Sequence, residues 1–137
     1  MTPIVIELAG EPRGKGRPRF VRSTGHAYTP AQTRSYETML RLAAQEVMAG
    51  RTPIEGPLQV DVLACMPIPV SWSKGKRANA ITGTVKPTSR PDCDNLVKML
   101  DAFNEVVWRD DKQVVSCRVE KIYSEKPRLR IEVRAAA

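Results

Sequence analysis

Two carboxylates, Asp92 and Asp94, stand two residues apart in the segment Arg90-Pro91-Asp92-Cys93-Asp94-Asn95-Leu96-Val97-Lys98. At the entrance of a helix both can point at one ligand. Mg²⁺ is commonly held by one or two carboxylates, with waters and substrate phosphate oxygens completing its shell. A phosphodiesterase needs that arrangement, because the ion neutralises charge developing on the phosphorus centre and can activate water. Lys98 lies one turn beyond Asp94, so its ammonium can share that face and bind the scissile phosphate or stabilise the transition state. Each residue also has a purely structural reading. Either aspartate can cap the helix, and Asp94 with Lys98 can form an i,i+4 pair worth about 0.2–0.5 kcal/mol.

A second acidic pair, Asp110-Asp111, follows Trp108-Arg109. Aspartate is common in turns, so the pair can simply link a helix to a strand. On the functional reading, one of the two is a third metal ligand. Pro91-Asp92 with Asp110-x-Lys112 also satisfies a loose PD-(D/E)xK nuclease pattern. That geometry makes Lys112 catalytic and leaves Asp94, Asn95 and Lys98 unemployed. Trp108 reads as core packing, and seven aromatic residues are too few for a multi-base stacking platform. The one histidine, His26, sits in a glycine turn as a solvated residue or phosphate contact. It gives little support to His-metal nucleases or to Ser-His and Cys-His triads. The cysteines fit no zinc spacing, and Gly10, Gly14 and Lys15 miss the P-loop pattern.

Charge is distributed in a way that suits phosphate binding around a metal. The chain of 137 residues carries a net charge of +7 and has a pI near 9.7, a balance often found in proteins that bind polyanions. Arg13, Lys15, Arg17, Arg19 and Arg22 crowd the first loop. Lys74, Lys76, Arg77, Lys86 and Arg90 lie in a stretch from Ser71 to Pro91 that has no acid. Immediately afterwards, six of the fifteen acids fall between Asp92 and Asp111. Lys15, Arg17, Arg19, Lys74, Lys76 and Arg77 are therefore the candidate contacts to the phosphates of a nucleic acid. The rival from another class is a non-catalytic nucleic-acid-binding module whose acids are caps and turns.

The elements that must position these residues follow from the hydrophobic pattern. Ile4, Ile6 and Leu8 alternate as a short strand. Residues 10–28, with four glycines and two prolines, read as a loop. Thr29, Pro30 and Gln32 form a helix start. Tyr36, Leu40, Ala43 and Val47 give its apolar face, and Gly50 its stop. Leu58 to Met66 alternate as a second strand. Residues 69–91 read as a long loop of the functional kind, with a short helix available around Lys74–Ala80. A second helix is expected over Asp94–Phe103, with Leu96, Leu100 and Phe103 inward. Val114–Tyr123 and Leu129–Val133 read as two more strands, joined by a turn containing proline. The order strand, helix, strand, helix, strand, strand predicts one small domain over residues 1–137. Its class is α/β or α+β, with a mixed four-stranded sheet and two main helices. Its size allows about two-thirds of the unfolded surface to be buried. Odd, widely spaced cysteines (Cys65, Cys93, Cys117) fit a reduced cytosolic protein. No signal peptide or membrane span is expected.

Several segments together resemble the RusA family of Holliday-junction resolvases. The signature block is Asp92-x-Asp94-Asn95-Leu96-x-Lys98, then Asp101-Ala102-x-Asn104, then Trp108-x-Asp110-Asp111-x-Gln113-Val114. Pro12-x-x-Lys15-x-Arg17-Pro18-Arg19, Tyr28-Thr29-Pro30 and Ser71-Trp72-Ser73-Lys74 resemble the phage and prophage branch. The match runs in consistent order over most of the chain. It implies a homodimeric, cytoplasmic, bacterial or phage-encoded endonuclease that makes paired symmetric nicks in four-way DNA junctions. The implied cofactor is Mg²⁺, with Mn²⁺ able to substitute. The resemblance also implies that Asp92, Asp94 and Asp111 are catalytic metal ligands and that Lys98 is required. Asn104-Glu105 departs from the Asn-Gly common in relatives. Asp111 can return to Asp94 within one chain only if the second helix stops near Asn104. Such a helix spans about 14 Å from Asp94, and eight extended residues return at most about 28 Å. Asn104 can take the left-handed conformation that ends a helix, and Val106-Val107-Trp108 favours extended backbone. An early stop and a site within one subunit are therefore expected.

Overall fold

A computed structural model describes residues 2–16, 19–28 and 31–137, and leaves out the side chains of Arg19, Phe20, Tyr28 and Gln32. Strand β1 (Ile4–Ala9) leads into a loop that carries a small ribbon, β2 (Arg19–Phe20) with β3 (Ala27–Tyr28). The ribbon replaces the plain loop expected over residues 10–28, and the Val21 amide closes it on the His26 carbonyl at 2.8 Å. Helix α1 (Ala31–Met48), β4 (Leu58–Pro67), α2 (Lys74–Ile81) and α3 (Cys93–Lys98) follow, then β5 (Val114–Ser124) and β6 (Arg128–Ala135). The main sheet has the order β1-β6-β4-β5. β6 is antiparallel to both neighbours, whereas β4 and β5 are parallel. The class is α+β with a mixed four-stranded sheet, as expected, but with three helices instead of two main ones. β5 and β6 are consecutive yet do not pair, because β4 lies between them.

One face of the sheet buries Ile4, Ile6, Val60, Val62, Leu129, Ile131 and Val133 against α1 and the segment after α3. The apolar row of α1 is Tyr36, Leu40, Ala44 and Met48. The expected row through Ala43 and Val47 is corrected: Ala43 is only partly buried, and Val47 is 37% exposed. The helix meets the sheet along one i,i+4 ridge, so its contact stripe drifts away from the 3.5-residue seam. Ala49 and Gly50 both adopt left-handed backbone, with φ of 48° and 78°, and end the helix where expected. Thr29 and Pro30, read as its cap, lie outside the described residues, as does the Gln32 side chain.

A parallel β4–β5 pair requires a crossover connection. Here the crossover is residues 68–113, and it contains every acid of the signature block. Ser73 caps α2 by accepting from the Lys76 amide at 3.3 Å. Trp72 packs edge-on against Tyr123 of β5, with ring centroids 5.1 Å apart. α3 tightens into a 3₁₀ turn over Met99–Phe103, burying Leu96, Met99, Leu100 and Phe103. The helical path thus ends just before Asn104. The left-handed residue is Glu105 (φ 64°), not Asn104, which is extended at φ −60° and ψ 132°. Val106–Trp108 is a buried turn, not the extended run expected. The Val106 and Val107 amides donate back to the Phe103 carbonyl at 3.1 and 3.0 Å, which keeps three large apolar side chains inside. Trp108 is fully buried edge-on against Phe103, and its indole N–H donates to Asn104 Oδ1 at 2.8 Å.

Candidate active site

Asp92 is the extended N-cap residue of α3, but its side chain makes no capping hydrogen bond. Asp94 lies in the first turn. Both are exposed, so their carboxylates are available to a ligand. Lys98 Nζ stands 3.9 Å from Asp94 Oδ2, and both side chains are largely in solvent. At that separation the pair is loose and worth little on its own.

The same face continues to Asp101, which belongs to the signature block but had no expected role. Its spacing of seven from Asp94 and three from Lys98 is the signal that could have found it. Asp101 Oδ2 accepts from Lys15 Nζ at 3.0 Å, and Lys15 also reaches Glu37 Oε1 of α1 at 3.2 Å. Burial lowers the Lys15 pKa, but the hydrogen bonds and charges of Asp101 and Glu37 outweigh it and the net shift is upward. The Lys15 ammonium, a candidate DNA contact, ties three elements together at the acidic face. Glu37 gives no sequence signal, being one of two acids on α1 with no motif around it. The Lys15 amide donates to the Asn95 carbonyl at 3.0 Å. A Cβ at Gly14 would stand 2.9 and 2.8 Å from the Cβ atoms of Pro91 and Asn95. The first loop thus lies directly against the Asp92–Asn95 turn, and only glycine permits that approach.

The second acidic pair divides its labour. Asp110 caps a 3₁₀ turn over Asp111–Gln113, accepting from the Lys112 amide at 2.9 Å. That bond, above all, holds its carboxyl below the usual range. Gln113 completes the box by accepting from the Asp110 amide at 3.2 Å. Its own amide donates to the Ile54 and Gly56 carbonyls at 2.9 and 3.0 Å. Asp111 instead faces Asp101. A hydrogen bond to Asp101, then burial, then Asp110 push its carboxyl up to about 6. Arg41 of α1 fixes the intervening chain by donating to the Ala102 and Asn104 carbonyls at 3.3 and 3.1 Å.

Asp111 therefore returns to its own chain's helix, but to the Asp101 end. Seven residues of helix separate that end from Asp94, about 10 Å. Among the described residues, no three His, Cys, Asp or Glu side chains stand close enough to hold one metal ion. The donor chemistry of Asp92 and Asp94 fits Mg²⁺, which takes hard carboxylate oxygens and often only one or two of them. The raised Asp111 carboxyl is the mark of acids crowded without enough positive charge. Of the remaining basic candidates, Lys74 is exposed, Arg77 is half-buried, and Lys76 Nζ lies 4.1 Å from the Trp72 ring centroid. Arg17 and the Arg19 side chain lie outside the described residues.

A family model described as endodeoxyribonuclease RusA matches residues 9–134, nearly the whole chain. The chain belongs to the RusA family. A protein of Bacillus subtilis (strain 168), named Uncharacterized protein YqaN, is 39% identical over 139 residues, covering 98% of this chain and 97% of that protein. The RusA match spans the first loop, the crossover and the last two strands. It therefore covers the loose Asp92–Asp94–Lys98 face and the Lys15–Asp101–Asp111 cluster together. Among the described residues, no helix is long and apolar enough to cross a membrane.

Proposed function

We propose that this RusA-family chain is a Mg²⁺-dependent, structure-selective endonuclease that resolves four-way DNA junctions in recombination and repair. The observation that carries the reading is the exposed Asp92–Asp94 pair, uncommitted to capping, on the family's signature turn. Asp92 and Asp94 would hold the ion, and Lys98, one turn on, would bind a non-bridging phosphate oxygen. Asp111 would join them by releasing Asp101. When bound, Mg²⁺ supplies Lewis-acid neutralisation of charge at the phosphate. Lys74, Lys76 and Arg77, with Arg13, Arg17 and Arg19 of the first loop, would track backbone phosphates and contribute affinity without sequence information. A C₂ homodimer would supply the two matching sites that paired nicks require. A bacterial or phage setting follows from the family alone.

Asp110 serves as a cap, which speaks against the geometry built on Asp92, Asp110 and Lys112. The test is cleavage of a synthetic four-way junction with Mg²⁺ and then with EDTA. Asp92→Asn, Asp94→Asn and Asp111→Asn should each lower the rate at least about 100-fold, or ~2.7 kcal/mol of barrier. Junction binding should stay intact or tighten, because negative charge near the phosphates is removed. Lys98→Ala should impair cleavage while Lys112→Ala does not. Metal-dependent cutting that survives in Asp92→Asn or Asp94→Asn would sink the site assignment, and no cutting by the wild type would leave a binding module.

A further inference from the structure

Among the described residues no hydrogen bond or ion pair holds the Asp92 side chain, so the backbone beneath it bears on its direction. Two of the peptides leading into Asp92 are held from below. Lys121 Nζ, rising from β5, donates to the Ser89 carbonyl at 2.7 Å and to the Pro91 carbonyl at 3.0 Å. Lys121 pairs in register with Ala64 of β4, on the face that carries α3, and it is half-buried. Its ammonium makes no ion pair among the described residues. A long, flexible cation is costly to order, and a plain apolar side chain would fill the same place. Its one evident use is to gather two carbonyls on either side of Arg90. From above, the Lys15 amide binds the Asn95 carbonyl and Gly14 packs on Pro91 and Asn95. The turn is thus clamped between the first loop and β5.

We propose that Lys121 is a positioning residue for cleavage. It acts through the Ser89 and Pro91 carbonyls to set the Asp92–Asp94 turn in its metal-binding geometry. The inference rests on the nuclease reading above. Residues that orient metal ligands at second hand typically cost 10–100-fold in metal affinity or activity when removed, and an effect of about that size is expected here.

The experiment compares wild type with Lys121→Met, which keeps the stem and loses the donors, and Lys121→Arg, which restores donors. Junction cleavage is measured against Mg²⁺ concentration, junction affinity in Ca²⁺, and backbone amide exchange by mass spectrometry. In Lys121→Met the half-saturating Mg²⁺ should rise and the maximal rate fall about 10-fold or more. Junction affinity should stay within about threefold, because the ammonium faces the core side of the sheet, not the DNA. Amide exchange should quicken in residues 89–95 and not across β4 and β6. Lys121→Arg should recover part of both losses. Unchanged Mg²⁺ dependence and unchanged exchange at 89–95 in Lys121→Met would overturn the proposal. Exchange quickened uniformly over the sheet, with no recovery in Lys121→Arg, would also overturn it and leave Lys121 a merely structural residue. If wild type cuts no branched DNA, the nuclease reading fails by itself. The exchange of residues 89–95 then still decides whether Lys121 holds the turn.

Discussion

Asp110 and Asp111 are neighbours in sequence and opposite in titration, one held low by a backbone amide and the other raised to about 6 by Asp101. For Asp111 the consequence is a pH-dependent stability. An unfolded aspartate ionises near 4 (about 3.9 in model peptides), so between that value and about 6 the folded chain holds a proton that the unfolded chain has lost. Stability from this group is therefore fully present below about pH 4 and is lost as pH rises through 6. The Tm difference between Asp111→Asn and wild type should grow in favour of the variant from pH 4 to pH 7. Adding Mg²⁺ at pH 7 should narrow it by favouring the ionised carboxyl of the wild type. A pH-independent difference in thermal melts would contradict the Asp101–Asp111 contact. Lys15 stands on the other side of the same cluster and neutralises part of its charge. This arrangement was hard to read in advance, because a lysine in a basic loop has the same composition whether it faces phosphate or carboxylate. Only the chain path distinguishes the two.

The early helix stop is the element-level feature on which the site depends. The expectation located it correctly because Asn104 and the apolar run after it are poor helix continuers, but it chose the wrong residue for the left-handed turn. Glu105 takes φ 64°, a conformation costly for a residue with a Cβ and easy for glycine. Glu105→Gly should therefore stabilise the fold by about 0.5–1 kcal/mol, less a few tenths for its exposed pair with Arg109 at 3.3 Å. Urea unfolding measures this directly, and a destabilised variant would show that the Arg109 pairing matters more than backbone relief. The strands and their inward residues were readable, since period-two alternation reports burial at each position. The face of α1 was misread by one position in its second half, because apolar residues at 43, 44, 47 and 48 satisfy either row. The ribbon β2–β3 could not be read at all: two-residue strands carry no period. Lys121 and Glu37 stayed hidden for a different reason: Lys121's partner lies thirty positions away in the chain and Glu37's twenty-two, and no local pattern connects them.

At the scale of the whole molecule, the basic groups must be sorted by what they already touch. Neutralising Lys74, Lys76 and Arg77 should weaken binding to all DNA and flatten log K against log salt by about 0.9 for each phosphate no longer neutralised. Lys15→Gln should leave that slope nearly unchanged while impairing cleavage, because its ammonium is committed to Glu37 and Asp101. Fluorescence anisotropy across a salt series separates the two, and a steep slope change in Lys15→Gln would return that residue to the DNA surface. The return of Asp111 to its own chain's Asp101 also supports a site built within one subunit. Mixed dimers of Asp94→Asn and Asp111→Asn protomers should then stay inactive. Nicking recovered after verified subunit exchange would place the two acids in different subunits. Finally, the parallel pairing of β4 with β5 ties the signature segment to the completion of the sheet. Leu58 meets Val114 only after a loop of more than fifty residues has closed, at an entropic cost of about 3.5 kcal/mol before any ladder bond offsets it. The antiparallel partner β6 closes over a still longer span, from Cys65 to Arg128 at the nearest, so both β4 pairings are long-range, and the docking of β5 is what brings Lys121 beneath Pro91. A chain whose β4 pairings are incomplete then lacks the support under its acids, so the competence to cut would arrive together with the completed sheet.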